Sequence, residues 1–123
     1  MDELKGVIKG DVATDEETLM ANSHDASIFE IKPQVVVSPK DAEDVKALIK
    51  FVTKHKKEHP DLSLTGRSAG TDMSGGSIND SIIVSFLKYF NHIGPIENGV
   101  GTAEPGVYYR DFEAETLKQN LIF

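Results

Sequence analysis

The stretch "QVVVSPKDAEDVKALIKFVTKHKKEHPDLSLT", residues 34–65, decides the fold. Val35, Val36 and Val37 form an unbroken β-branched run with no polar alternation. Such a run predicts a strand buried on both faces, as in a parallel sheet covered by helices. Pro39 ends it. Asp41 stands where a helix cap is needed, with Asp44 near the first turn. Val45, Leu48, Ile49 and Val52 then follow i, i+3, i+4, i+7 spacing and predict one apolar stripe. Lys54, His55, Lys56 and Lys57 crowd the last turn, where cations complement the helix dipole. Pro60 stops the helix, and LSLT (62–65) reads as a second strand. Strand, helix and strand in this order imply a right-handed crossover and a parallel sheet.

The flanks extend the pattern. SIIVSF (81–86) predicts a third buried strand. A short strand is expected around Gly101–Glu104, closed by Pro105–Gly106, and a last helix from about 107 to 119. Upstream, residues 3–9 predict a short helix weakened by Gly6 and Gly10. Thr14 and Glu17 read as a capping box before a helix over 15–22. NSHDAS (22–27) reads as a polar loop. The expectation is an α/β fold: a small parallel β-sheet flanked by helices. Residues 1–31 form a helical lead-in and 32–123 the α/β unit.

Composition bounds the function. The chain has 123 residues and a formal net charge of −7. That balance argues against a nucleic-acid partner, which needs basic surface. There is no cysteine, which rules out disulfides, thiol nucleophiles and thiolate metal sites. A cytoplasmic location is expected. No apolar run approaches the roughly 20 residues that span a bilayer.

Between the second and third strands lies "LTGRSAGTDMSGGSINDS", residues 64–81. It leaves the carboxyl end of a parallel strand, where open α/β sheets bind ligands. Gly66, Gly70, Gly75 and Gly76 permit positive φ and close approach of a ligand to backbone. Ser68, Ala69, Thr71, Ser74 and Ser77 are small, and all but Ala69 carry a hydroxyl. Successive N–H groups in such a turn form an anion-binding concavity, and a diphosphate is the natural guest. No Lys lies between residues 58 and 87, so this is no P-loop. The GxGxxG fingerprint is absent too.

The loop resembles the pyrophosphate loop of the flavin oxidases related to vanillyl-alcohol oxidase. Arg67, Gly70, Thr71 and Gly75 match the family's Arg-Gly-Gly-Gly-Thr-x-x-x-Gly pattern, with Ser68 and Ala69 in place of two glycines. DAS (25–27), KPQVVVSPKDAEDV (32–45) and EPG (104–106) resemble further family segments in the same order. The FAD-linked oxidase branch, with glycolate oxidase and lactate dehydrogenase flavoprotein subunits, is the nearest likeness. The resemblance implies the first subdomain of a PCMH-type FAD-binding domain. FAD would be the cofactor, bound non-covalently, since Thr71 stands where some relatives attach it through His. It implies cofactor contacts at Gly66, Arg67, Ser68, Ala69, Gly70, Thr71, Gly75, Gly76, Ser77, Pro105 and Gly106. It also implies a flavin-dependent oxidoreductase acting on a 2-hydroxy acid. The family's second subdomain and substrate cap are absent from these residues. The chain therefore reads as part of a longer protein, with self-association through the uncovered face as a further expectation. A non-enzymatic α/β module that binds a nucleotide or phosphate is the alternative.

Other residues are assigned bland roles. His24 is expected at the surface, His55 and His59 in solvent, and His92 away from any ligand. The four histidines show no metal-ligand spacing. Asp72 is expected to cap a turn. Arg67 could pair with phosphate or with an inner carboxylate. No catalytic residue is named.

Overall fold

A computed structural model describes residues 2–123. A four-stranded sheet carries the fold, in the order β1 (Asp11–Ala13), β2 (Val35–Ser38), β4 (Ile82–Ser85), β3 (Leu64–Arg67). β2, β4 and β3 run parallel, with Val36 opposite Ile83 and Thr65 opposite Ile83 on the other side. β1 pairs antiparallel with β2 as an edge strand. The sheet is therefore mostly parallel.

The unbroken apolar runs follow from burial on two faces. Val35, Val37, Ile82 and Val84 point to one side and pack with Leu4, Ile8 and Leu48. Val36 and Ile83 point to the other and meet Leu19 of α1 (Glu16–Ala21). Leu48 belongs to the crossover helix α2 (Ala42–His55), which connects β2 to β3. Asp41 caps α2 through its side chain, accepting from the N–H groups of Glu43 and Asp44. The buried stripe of α2 is rotated from the expected one. Ile49 is exposed, and Ala47, Phe51 and Val52 join Leu48 against the core.

Asp44 is buried at 2% exposure. Its carboxylate accepts three backbone N–H bonds of 2.9 Å, from Lys9, Gly10 and Lys40. Burial works to raise its pKa, but these donors win and hold it below the usual carboxylate range. Asp44 thus ties the lead-in to the turn before α2. Gly10 fits the same junction, since a Cβ there would lie 2.0 Å from the Ser38 carbonyl oxygen.

Several local expectations change. Residues Asp2–Gly6 form one 3-10 turn instead of a helix over 3–9. Asp15, one residue after Thr14, caps α1 by accepting from Thr18 N–H at 2.9 Å. β3 starts and ends two residues later than LSLT, so Arg67 is its last residue. His55 is only partly solvated: its ring lies tilted against Phe51 with centroids 4.6 Å apart, and its side chain is 19% exposed.

After β4 the chain makes a turn at Phe86–Phe90 and a hairpin of β5 (Ile93–Glu97) and β6 (Val100–Ala103). Asn98 and Gly99 have φ of 53° and 76°, the positive pair a two-residue hairpin turn needs. Helix α3 (Tyr109–Leu117) follows and buries Phe112 and Thr116. No helix among the described residues is long and apolar enough to cross a membrane.

Candidate functional site

The loop after β3 closes over the last residue of that strand. Arg67 is 9% exposed. Its Nη2 donates to the His24 carbonyl at 2.7 Å, and its Nη1 to the Ser77 carbonyl at 3.3 Å and Ser77 Oγ at 3.4 Å. The guanidinium lies directly under Gly70, whose φ is +67°. A Cβ at Gly70 would sit 2.2 Å from Nη2 and 2.5 Å from Cζ of Arg67. Gly75 has a φ of +84° and faces the ring of Phe29. Gly66 lies within β3 and Gly76 has no positive φ, so the backbone freedom expected at four glycines is used at two.

Asp72 caps a turn, accepting from Ser74 N–H at 2.6 Å and Ser74 Oγ at 2.7 Å. Those donors hold its carboxyl below the usual range, so it is a fixed negative charge on the loop at neutral pH. The segment 24–29 braces the loop from outside. Ala26 N–H donates to the Asp72 carbonyl at 2.9 Å. Ser77 Oγ donates to Asp25 Oδ2 at 3.3 Å.

An open groove of about 590 Å³ lies above this loop. Ser68, Ala69, Gly70, Thr71, Asp72 and Ser77 form one wall, and residues 107–110 form the other. The N–H groups of Ser68, Ala69, Gly70 and Thr71 donate to no protein acceptor among the described residues. The opposite wall is the start of α3, which has no side-chain cap at Tyr108. The first N–H groups of a helix have no intrahelical partner and carry the positive end of its dipole. Residues carrying two sets of open donors therefore line one groove. Arg110 adds a cationic side chain at the same wall. This suits an anionic, elongated guest of diphosphate type.

Of the residues expected from the sequence, Ser68, Ala69, Gly70, Thr71 and Ser77 line the groove. Gly66, Arg67, Gly75, Gly76, Pro105 and Gly106 do not. Gly106 is instead a buried hinge pin. Its N–H donates to the Phe90 carbonyl at 2.7 Å, and a Cβ there would lie 2.4 Å from the Phe86 carbonyl oxygen. That close packing fixes where α3 begins. The α3 wall at Tyr108, Tyr109 and Arg110 was legible as a helix start but not as part of the site. His24 pairs with Glu30 at 3.6 Å across an isolated bridge. Among the described residues no group of His, Asp and Glu side chains could hold a metal ion.

Known proteins resemble this chain in sequence and fold. The family described as FAD binding domain matches residues 33–123. D-2-hydroxyglutarate dehydrogenase of Escherichia coli K12 is 32% identical over 100 residues, covering 80% of this chain and 10% of that protein. Among solved structures, 6-hydroxy-D-nicotine oxidase from Arthrobacter nicotinovorans aligns over 90% of this chain and 24% of its own, with TM-score 0.72 and 23% identity. p-Cresol methylhydroxylase aligns over 98% of this chain and 24% of its own, with TM-score 0.75 and 18% identity. The chain thus spans about a tenth of that curated relative and a quarter of those solved chains. The fold is shared with PCMH-type FAD-binding domains, and the cofactor is FAD. With its parallel sheet, its glycine loop and the match over residues 33–123, this chain belongs to the FAD binding domain family.

Proposed function

We propose that this chain is the diphosphate-gripping part of a flavin-dependent oxidoreductase that oxidises a 2-hydroxy acid. One observation carries the site assignment: residues 68–71, whose N–H groups have no protein acceptor, line one groove opposite the uncapped start of α3. Ser68, Ala69, Gly70 and Thr71 hold the phosphate oxygens by backbone N–H donation. Ser77 supports the wall from below. Gly75 lets the loop turn back, Gly76 leaves room for the Asp72 carboxylate, and Gly66 lies in β3 just ahead of the loop. Pro105 and Gly106 set α3 in place opposite. The bound flavin supplies the two-electron acceptor, and this chain's residues bind and orient its diphosphate. Attachment is non-covalent, because Thr71 offers no nitrogen nucleophile at the loop.

The substrate class follows the relatives named D-2-hydroxyglutarate dehydrogenase. The flavin-ring side of the site and the substrate cap belong to further chain of the same protein. The small share of each relative covered here supports that reading. Residues 1–31 serve as a lead-in and 32–123 as the cofactor subdomain. The protein works in the cytoplasm. An exposed apolar face near Leu117, Ile122 and Phe123 offers a route to self-association.

The test is a visible spectrum of the protein at the length its gene encodes, with and without a panel of 2-hydroxy acids under anaerobic conditions. Flavin bands that bleach with a D-2-hydroxy acid are expected. A flavin that no 2-hydroxy acid bleaches contradicts the substrate reading. No flavin after reconstitution contradicts the site. Acid precipitation should release the colour into the supernatant; colour retained on a peptide from residues 64–81 contradicts non-covalent binding.

A further inference from the structure

The acceptors that hold Arg67 are unusual for a buried guanidinium. They are the carbonyls of His24 and Ser77 and the hydroxyl of Ser77, all neutral. The nearest negative influence is Asp25, whose carboxylate is committed to Ser27 N–H at 2.8 Å and to Ser77 Oγ at 3.3 Å. Burial lowers the Arg67 pKa and Asp25 raises it, and an arginine stays cationic at neutral pH. Burying a charge without a bonded counter-charge is costly. A neutral side chain could brace two carbonyls only in part, but it would avoid that cost. The charge sits one backbone layer below the groove, because only Gly70 separates them. The chain as a whole is acidic, with a net charge of −7, and Asp72 adds a negative charge to the groove wall. A fixed cation beneath the open N–H groups offsets both.

We propose that Arg67 attracts the diphosphate by its charge, through the loop backbone and without touching it, and that His24–Ser27 is the positioning element that holds it there. The proposal rests on reading the groove as the diphosphate site. Arg67 is nine-tenths buried, so it cannot swing out to clasp a phosphate without releasing both carbonyls. The segment 24–27 holds the guanidinium by one carbonyl and holds the loop by the Ala26–Asp72 and Ser77–Asp25 bonds. Charge and cradle therefore move as one unit. Coulomb attraction at partly buried distances is large enough to matter, and salt screens it less than a surface pair.

The experiment measures FAD and riboflavin affinities by fluorescence quenching, on the protein at the length its gene encodes. It compares the wild type with Arg67→Met, Arg67→Lys and Asp25→Asn, each checked by thermal melting. Riboflavin shares the flavin ring but carries no phosphate. Arg67→Met should weaken FAD about tenfold and leave riboflavin unchanged. Arg67→Lys should recover most of that loss, although one ammonium cannot span both carbonyls as the fork does. Asp25→Asn keeps the acceptor for Ser27, reverses the second contact so that its amide donates to Ser77 Oγ, and removes a negative charge, so FAD should bind a few-fold tighter. It decides the matter if Arg67→Met does not fold. Lysine as poor as methionine, or weaker FAD binding in Asp25→Asn, would mean that shape and not charge is what Arg67 provides. Equal affinity of the wild type for FAD and riboflavin would remove the diphosphate site itself, and this proposal with it.

Discussion

Gly70 rests on Arg67 so closely that a Cβ at residue 70 would lie 2.2 Å from Nη2 of the guanidinium. Three hydrogen bonds pin that guanidinium, so it cannot step aside freely. The φ of +67° adds backbone strain for any L side chain. Gly70→Ala should lower stability by about 1–3 kcal/mol and cut FAD affinity at least tenfold, because the loop's N–H groups would be re-aimed. Flavin content after purification and the melting temperature report the two effects. A variant with full flavin and an unchanged melt would place the cradle elsewhere.

Asp72 bears on the same site with the opposite sign. Asp72 lines the groove, and its carboxylate stays ionised because Ser74 donates to it twice. Asparagine keeps the oxygen that accepts from Ser74, so the turn survives. Asp72→Asn should therefore tighten FAD binding roughly two- to threefold, an effect that fades at high salt because the residue is exposed. Unchanged binding in that variant, measured by titration at low salt, would place the Asp72 carboxylate outside the field of the diphosphate, and weaker binding would contradict the repulsion.

Asp44 governs stability and not the cofactor. Replacing it with Ala leaves the N–H groups of Lys9, Gly10 and Lys40 without their acceptor. The loss should be about 2–4 kcal/mol at pH 7. Its folded pKa lies below the ordinary value. Its contribution is therefore whole above about pH 4, the unfolded value, and fades as pH falls through the folded value. Urea midpoints of wild type and Asp44→Ala should differ widely at pH 7 and converge in acid. A gap that stays constant down to pH 2 would mean that the charge of Asp44 is irrelevant.

The parts of the fold that could be read from the sequence are those where one physical signal dominates. Val35–Val37 and Ile82–Val84 are apolar without alternation because both faces of the sheet are covered. The α2 cap at Asp41 is local chemistry and stands as expected. Signals that compete locally are harder. Thr14 and Asp15 both can cap, and the stronger acceptor takes the role. β1 is three residues long behind Gly10, too short for any period to show. The Asn98–Gly99 turn is a hairpin signal in its own right, masked by Gly94 and Pro95 in the preceding strand. Asp44 looks like a helix-start carboxylate, and only tertiary packing turns it into a buried acceptor. The site divides in the same way. The glycine loop announces itself, whereas the α3 wall enters only because Gly106 packs under the Phe86 and Phe90 carbonyls.

The central claim is that the backbone N–H groups of residues 68–71 and the start of α3 hold the FAD diphosphate. Amide chemical-shift mapping tests it most directly, on the ¹⁵N-labelled 13.5 kDa chain titrated with FAD and, separately, with inorganic pyrophosphate. Both ligands should shift the amides of Ser68, Ala69, Gly70, Thr71, Tyr109 and Arg110, and leave the distant groove at His55–Leu62 unmoved. Shifts concentrated around His55, His59 and Ser81, with residues 68–71 silent, would contradict it.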